Sequence, residues 1–379
     1  MNKKTTNIYP AIILLLLAII ALLFSLLVIK KASQPAANFS LHHQSAQIYH
    51  WKMVTSWPKN TPGLGRSAEQ IAQFINEMSS GRLQIHVYGA NELVPALGVF
   101  DAVSSGSVEM GHSGAYFWRG KIPAAQFFSS VPFGMNAQEM NSWLEYGGGL
   151  ELWREIYEPF NLIPFAAGNT GVQMAGWFNR EINSVADLRG LKMRIPGLAG
   201  EVFNMAGGTS VNIPGGELYT SLQTGVIDAA EWVGPENDLA FGFQQIAKYY
   251  YYPGWHEPGS TLELIINKQA FESLPKDLQA IVTYATRAAN QDMLDSYTNN
   301  NSGALIELQR QGVQIRKLPN DVLAEFYKIS QEVYTKQAAN DPQLKKVYDS
   351  YKQFMQKSAA YQKMSEQSYG EVRDRFSRP

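Results

Sequence analysis

Two stretches far apart in the chain share one grammar, and any fold must accommodate both. LGVFDAVSSGSVEMG (Leu97 to Gly111) and GELYTSLQTGVIDAAEW (Gly216 to Trp232) each read as a short amphipathic helix closed by a glycine, Gly106 or Gly225. A strand then carries a branched apolar residue and an acid, Val108-Glu109 in one copy and Ile227-Asp228 in the other. Glycine suits the end of such a helix because it enters the left-handed region without steric penalty. The copies are too distant and too weak for a solenoid. They fit two α/β lobes built on one plan. In open α/β sheets the segments leaving strand C-termini form the ligand crevice. HSGAYFWRGK (His112 to Lys121) and VGPENDLAFGF (Val233 to Phe243) fall at those positions.

The flanking chain agrees. IYHWKMVTSW (Ile48 to Trp57) reads as a strand, Gly65 to Ser80 as a helix with Ile71, Phe74, Ile75 and Met78 on one face, and LQIHVY (Leu83 to Tyr88) as a strand. Helices are expected at Ala137 to Glu145, Leu150 to Glu158 and Leu198 to Met205. Strands are expected at Leu162 to Ala167, Ser210 to Ile213 and Thr261 to Phe271, with an aromatic turn region at Tyr249 to Gly259. Lys276 to Gly312 is either one long helix or two helices broken at Asn299 to Gly303. VQIRK (Val313 to Lys317) is a short strand, and the block to Pro379 reads as too polar for a core, a lobe-spanning or dimer-forming arm.

With 379 residues the chain is long enough for two lobes with their own cores. Its net charge of −1 offers no broad basic surface for nucleic acid. The absence of cysteine removes thiol nucleophiles, disulfides and cysteine-based metal sites. Lys3 and Lys4 precede an unbroken apolar run from Ala11 to Ile29, and Lys30-Lys31 follow it. As a helix the run spans about 28 Å, near the thickness of a bilayer core. It is read as an uncleaved signal anchor or a cleaved signal peptide, with Ala32 to Gln47 as a tether; either way the remainder is exported.

The chemistry concentrates between Gly168 and Trp232. Arg194 ends a strand-like run, where a guanidinium can grip a carboxylate with two parallel hydrogen bonds; the plain alternative is a salt bridge. Gln173, Glu231 and Glu257, with a backbone carbonyl such as that of Trp232, offer only oxygen, a set suited to a hard cation. Each is equally an ordinary polar cap when taken alone. The six histidines (His42, His43, His50, His86, His112, His256) show no zinc motif. Gly111 to Ala115 lacks the closing glycine of a nucleophile elbow, and Gly147 to Gly149 is a turn and not a P-loop.

GNTGVQMAGWF, LKMRIPG, IDAAEWVGP and YYYYPGW, in this order, resemble the substrate-binding proteins of TRAP transporters, the DctP-like extracytoplasmic solute receptors, and within them the binders of 2-oxo acids and lactate. The resemblance runs from about Tyr49 to the end. It implies a two-lobed periplasmic-binding-protein-like α/β fold with crossing strands, a long lobe-spanning helix and a helical C-terminal arm. Residues 1–45 would be anchor and tether, 46–167 lobe 1, 168–259 lobe 2, 260–318 the return to lobe 1 with the lobe-spanning helix, and 319–379 the arm. Arg194 matches the carboxylate-clamping arginine. Gln173, Glu231 and Trp232 match positions that hold ligand and cation, the tryptophan through its main-chain oxygen, and Glu257 matches a further acidic position. Tyr116 and Asn169 are carried as wall or hydrogen-bond groups. Phe117 and Trp118 stand where relatives can have tyrosine.

The implied function is a periplasmic receptor, not an enzyme. It would bind a small 2-oxo or 2-hydroxy monocarboxylate with one hard cation, sodium or calcium, and deliver the acid to membrane permease subunits, as a helix-swapped homodimer. The alternatives are an exported metal-dependent enzyme with Glu231 or Glu257 as base, and an anchored assembly factor with an occluded cleft.

Overall fold

The computed structural model describes residues 9–32 and 47–377. Residues 33–46 of the expected tether, with His42 and His43, lie outside the described residues. The described residues fall into two separate units, divided between Gln47 and Ile48. In the first, Tyr9–Ala32 is a helix. Among the residues described down to their side chains, no helix is long and apolar enough to cross a membrane; in this helix those are residues 14–26.

The second unit holds two sheets. The first has the order β2-β1-β3-β10-β4, with β1 Tyr49–Thr55, β2 Leu83–Tyr88, β3 Met110–Ser113, β4 Leu162–Asn169 and β10 Thr261–Asn267. The second has the order β11-β9-β5-β8-β6-β7, with β5 Gly176–Phe178, β6 Lys192–Arg194, β7 Thr209–Val211, β8 Ala229–Ala230, β9 Tyr249–Tyr252 and β11 Gln314–Lys317. The chain crosses between sheets from β4 to β5 and returns from β9 to β10. The fold is the two-sheet α/β architecture with crossing strands and a helical arm.

The repeated grammar has a structural meaning that differs from its expected form. Both strands start after the acid, at Met110 and Ala229. The acid instead secures the neighbouring parallel strand: the Glu109 carboxylate accepts from Lys52 N at 2.8 Å, and that of Asp228 from Lys192 N at 2.9 Å. Each acid thereby satisfies a backbone donor of the adjacent strand and pins its register.

Four further expectations need adjustment. The strand from Thr261 stops at Asn267, whose side chain accepts from Ala270 N and starts the helix Lys268–Ser273. Tyr249–Tyr252 is a strand and not a turn. Lys276–Arg310 is one helix, and β11 beyond it pairs with β9, so the segment 260–318 ends in the second sheet and not in the first. The arm is also not polar throughout. Helix Asn320–Asn340 buries Val322, Phe326, Ile329 and Val333, and helix Pro342–Met364 buries Leu344, Val347 and Tyr351. These side chains join the main hydrophobic core, with Phe326 stacked on Trp255 at 4.1 Å. Their 3–4 spacing is a buried stripe hidden in a polar average.

Candidate functional site

Parallel pairing of β6 with β8 sets Arg194 opposite Ala230, so Arg194 and the following Glu231 emerge together at the strand ends. Glu231 N donates to the Arg194 carbonyl at 3.0 Å. In return Arg194 Nη1 donates to both the carbonyl and Oε2 of Glu231 at 2.8 Å, and its Nε donates to Ile213 O at 3.3 Å. The guanidinium lies 5.3 Å from the Trp232 ring centroid. That ring sits directly against Gly215, where any Cβ would collide with it. Arg194 and Glu231 are each 1% exposed.

The two crossings between sheets supply the facing groups. Gln173 lies in the first and Glu257 in the second, joined by Gln173 N donating to Glu257 O at 3.1 Å. The close approach needs Gly254, whose Cβ would strike the Gln173 carbonyl. Gln173 Nε2 donates to Glu257 Oε2 at 2.8 Å and to Thr170 Oγ1 at 3.1 Å. The Ser260 hydroxyl also donates to Glu257 Oε2. Among the described residues, Gln173 Oε1 is buried without a partner. An unmet buried acceptor costs on the order of 1–3 kcal/mol, so this oxygen is a place where a donor or cation belongs.

His256 joins this group, a residue that sequence reasoning passed over because it fits no spacing motif. Its ring is 1% exposed and, among the described residues, neither ring nitrogen has a hydrogen-bond partner. Nε2 stands 3.7 Å from Glu231 Oε1. Burial lowers the imidazole pKa to about 4, so this is a close approach of a neutral ring and not an ion pair. Its one signal in the sequence is its position next to Glu257. Glu231, His256 and Glu257 offer one ligand atom each within 4.8 Å of one another.

Burial raises the pKa of Glu231 to about 7 against the opposing pull of Arg194, and raises Glu257 to about 7 with help from the Glu231 charge. Two acids facing one arginine lack positive charge when both ionise. A cation among Gln173 Oε1, Glu231, Glu257 and the Trp232 carbonyl fits that deficit, and oxygen donors fit a hard ion.

The remaining candidates divide. Tyr116 lies in the turn Ala115–Trp118 after β3, 8% exposed, with its pKa raised by burial and by the Glu257 charge, which places it beside the group. Asn169 is braced at both ends of its amide: Nδ2 donates to Thr261 Oγ1 at 3.2 Å and Oδ1 accepts from Gly171 N at 2.9 Å. It ties the crossings together. Trp118 turns into the core, where its indole donates to Glu263, and Phe117 packs on Trp57 at 6.0 Å. Arg119 Nη1 donates to Gly197 O at 3.0 Å, linking the turn after β3 to the start of the helix Gly197–Met205.

Three comparisons with known proteins identify the family and the fold. The family model for bacterial extracellular solute-binding proteins, family 7 (DctP), matches residues 53–341. A monocarboxylate 2-oxoacid-binding periplasmic protein of Nostoc sp. is 46% identical over 319 residues, covering 84% of this chain and 87% of that protein. TRAP periplasmic solute-binding proteins from Colwellia psychrerythraea, with bound calcium and pyruvate, and Pseudoalteromonas atlantica, with bound sodium and pyruvate, superpose with TM-scores of 0.84. They are 44% and 45% identical, each covering 86% of this chain, and 100% and 99% of their own chains are matched.

Proposed function

This chain belongs to the bacterial extracellular solute-binding proteins of family 7, TRAP receptors and not enzymes, and we propose that it captures a small 2-oxo or 2-hydroxy monocarboxylate, pyruvate foremost, together with sodium or calcium. The observation that carries this reading is the buried Arg194–Glu231 pair grouped with Glu257, whose partner Gln173 leaves its Oε1 without a donor among the described residues. Arg194 takes the carboxylate. Gln173, Glu231, Glu257 and the Trp232 carbonyl hold the cation. A bound cation supplies the positive charge that offsets the two acids and lets an oxygen vicinal to the carboxylate share its coordination. Tyr116 and the Trp232 ring wall the chamber, and Asn169 keeps the crossings in register. The acid favours closure only by its higher affinity for the closed lobes. The lobe bodies that move are residues 46–167 with β10, and 168–259 with β11.

The closed receptor delivers its acid to the TRAP permease subunits from the periplasm. We infer tethering by the helix Tyr9–Ala32, supported by the apolar run Ala11 to Ile29. A homodimer through the arm is supported by Tyr361, Met364, Tyr369 and Phe376, all exposed on its last helices.

A thermal-shift panel tests the ligand class, using pyruvate, other 2-oxo acids, lactate, succinate and sugars, each with calcium, with sodium and with chelator. Ligand at a hundredfold its Kd stabilises by about 2.7 kcal/mol, a shift of several degrees. Cation-dependent shifts confined to 2-oxo and 2-hydroxy acids are expected; shifts with succinate or sugars alone overturn the ligand class.

A further inference from the structure

Two buried carboxamide oxygens outside the acid site meet at one cavity. In the 3-10 helix Pro123–Phe128, Gln126 folds back so that its Nε2 donates to Pro123 O at 3.1 Å. That bond fixes which end of the amide is oxygen. Oε1 is then left buried without a donor among the described residues, on a residue only 2% exposed. Gln337, on the helix Asn320–Asn340, repeats the pattern: Nε2 donates to Glu201 Oε2 at 2.6 Å, and Oε1 is buried with no donor among the described residues. An unmet buried acceptor is costly, so both oxygens call for a donor. The two glutamines line a cavity of about 320 Å³ together with Arg119, Glu201 and Asn204. Glu201 and Asn204 stand about one turn apart on the helix Gly197–Met205 and so share a face.

The charges in this cavity are not spent on each other. Among the described residues Arg119 and Glu201 form no ion pair: Arg119 Nη1 donates to the Gly197 carbonyl, and the Glu201 carboxylate accepts from the Gln337 amide. Asn204 Oδ1 accepts from Ser210 N at 2.6 Å, which leaves its Nδ2 as a donor. The lining therefore offers guanidinium and amide N–H groups on Arg119 and Asn204, and acceptors on Gln126, Gln337 and Glu201. A metal ion alone would bring its charge up to Arg119, and an anion alone would bring its charge up to Glu201. A molecule carrying both charges a short distance apart satisfies both. We propose that this cavity is a second ligand site, for a small zwitterionic amino acid. Arg119 and Asn204 Nδ2 take its carboxylate. Glu201 and the Oε1 atoms of Gln126 and Gln337 take its ammonium, three acceptors for three N–H donors. The volume falls at the lower end of small-molecule pockets, which begin near ~300 Å³. Arg119 and Asn204 are exposed, so the ligand reaches them from solvent. The site shares no residue with the acid site.

The test is saturation-transfer NMR on the purified full chain, with L-alanine, propionate and ethylamine as probes, in the absence and presence of pyruvate with calcium. L-Alanine is expected to give transfer that persists when pyruvate and calcium are added. Its affinity is expected to exceed those of propionate and ethylamine at least about tenfold, since each of these keeps only one of its two charges. Arg119→Gln and Glu201→Gln are each expected to lower alanine affinity at least about tenfold, with the thermal midpoint of the unliganded protein unchanged. A variant with a lowered midpoint is set aside, and the wild-type comparison of the three probes then decides alone. Absence of alanine transfer at millimolar concentration overturns the inference. So does loss of alanine transfer on adding pyruvate, which moves alanine into the acid site. Propionate binding as tightly as alanine also overturns it and leaves only an anion contact at Arg119. Alanine affinity retained in both folded variants overturns it as well.

Discussion

Glu263 and Asp238 share one electrostatic condition with Glu231 and Glu257: all four are buried, and burial raises each pKa to about 7. Their surroundings differ in kind. Glu263 accepts from the Trp118 indole and, at 2.8 Å, from the Tyr157 hydroxyl. Asp238 accepts from the Trp177 indole at 3.0 Å and the Tyr250 hydroxyl at 2.6 Å. One such acid lies on β10 of the first sheet and the other on the helix Pro235–Phe241 that follows β8 of the second, each held by one tryptophan and one tyrosine. Around Glu231 and Glu257 there is an arginine and, among the described residues, a carboxamide oxygen without a donor and a histidine without partners. A perturbed pKa alone therefore does not locate the site in this protein; at Glu231 and Glu257 it coincides with an arginine and with the unmet atoms of Gln173 and His256.

The largest expected effect comes from Arg194→Ala. It leaves Glu231 buried without its counter-charge, which costs on the order of 3–5 kcal/mol, and it removes the proposed carboxylate clamp. Calorimetric titration should show pyruvate affinity reduced beyond a hundredfold; retention within threefold removes Arg194 from the site. The contrasting substitution is Glu263→Ala. It orphans two buried donors and should destabilise by about 2–4 kcal/mol in chemical denaturation, with pyruvate Kd unchanged within about twofold. A comparable loss of binding there would dissolve the distinction between the two sets of acids.

The distinction also appears in pH. A carboxyl whose folded pKa lies above its unfolded value takes up protons on folding, so its contribution to stability is present below the unfolded pKa and falls as pH rises through the folded one. Unliganded protein should lose thermal stability between about pH 4.5 and pH 7. Glu263→Gln removes part of that fall without ligand, whereas cation plus pyruvate removes the part due to Glu231 and Glu257. Stability rising across this window contradicts the assignment. The smallest effect is expected at the exposed arm. Phe376→Glu should change monomer stability by less than about 0.5 kcal/mol yet shift the proposed dimer toward monomer in light scattering; an unchanged mass argues against a dimer through this face.

Much of this was legible in the chain. LQIHVY became a strand with the expected ends, and the structure brings Arg194, Gln173, Glu231, Trp232 and Glu257 together. Hidden features depend on partners distant in sequence. The Asn299 to Gly303 stretch stays helical because Asn301 Oδ1 accepts from Glu236 N at 2.9 Å and Asn300 Nδ2 donates to Glu236 Oε1 at 3.0 Å. Those asparagines serve the neighbouring helix Pro235–Phe241, and tertiary capping overrides their local preference. Glu257 meets Gln173 only because two crossings run side by side, and His256 gains meaning only from the bare nitrogens that burial leaves.

The most direct test is calorimetric titration of pyruvate into metal-stripped protein, repeated with cation restored. One acid per chain should bind with cation present, and affinity should fall at least about tenfold in chelator without sodium. Equal affinity in both conditions would contradict a site in which Glu231, Glu257 and Gln173 hold a cation against the ligand that Arg194 grips.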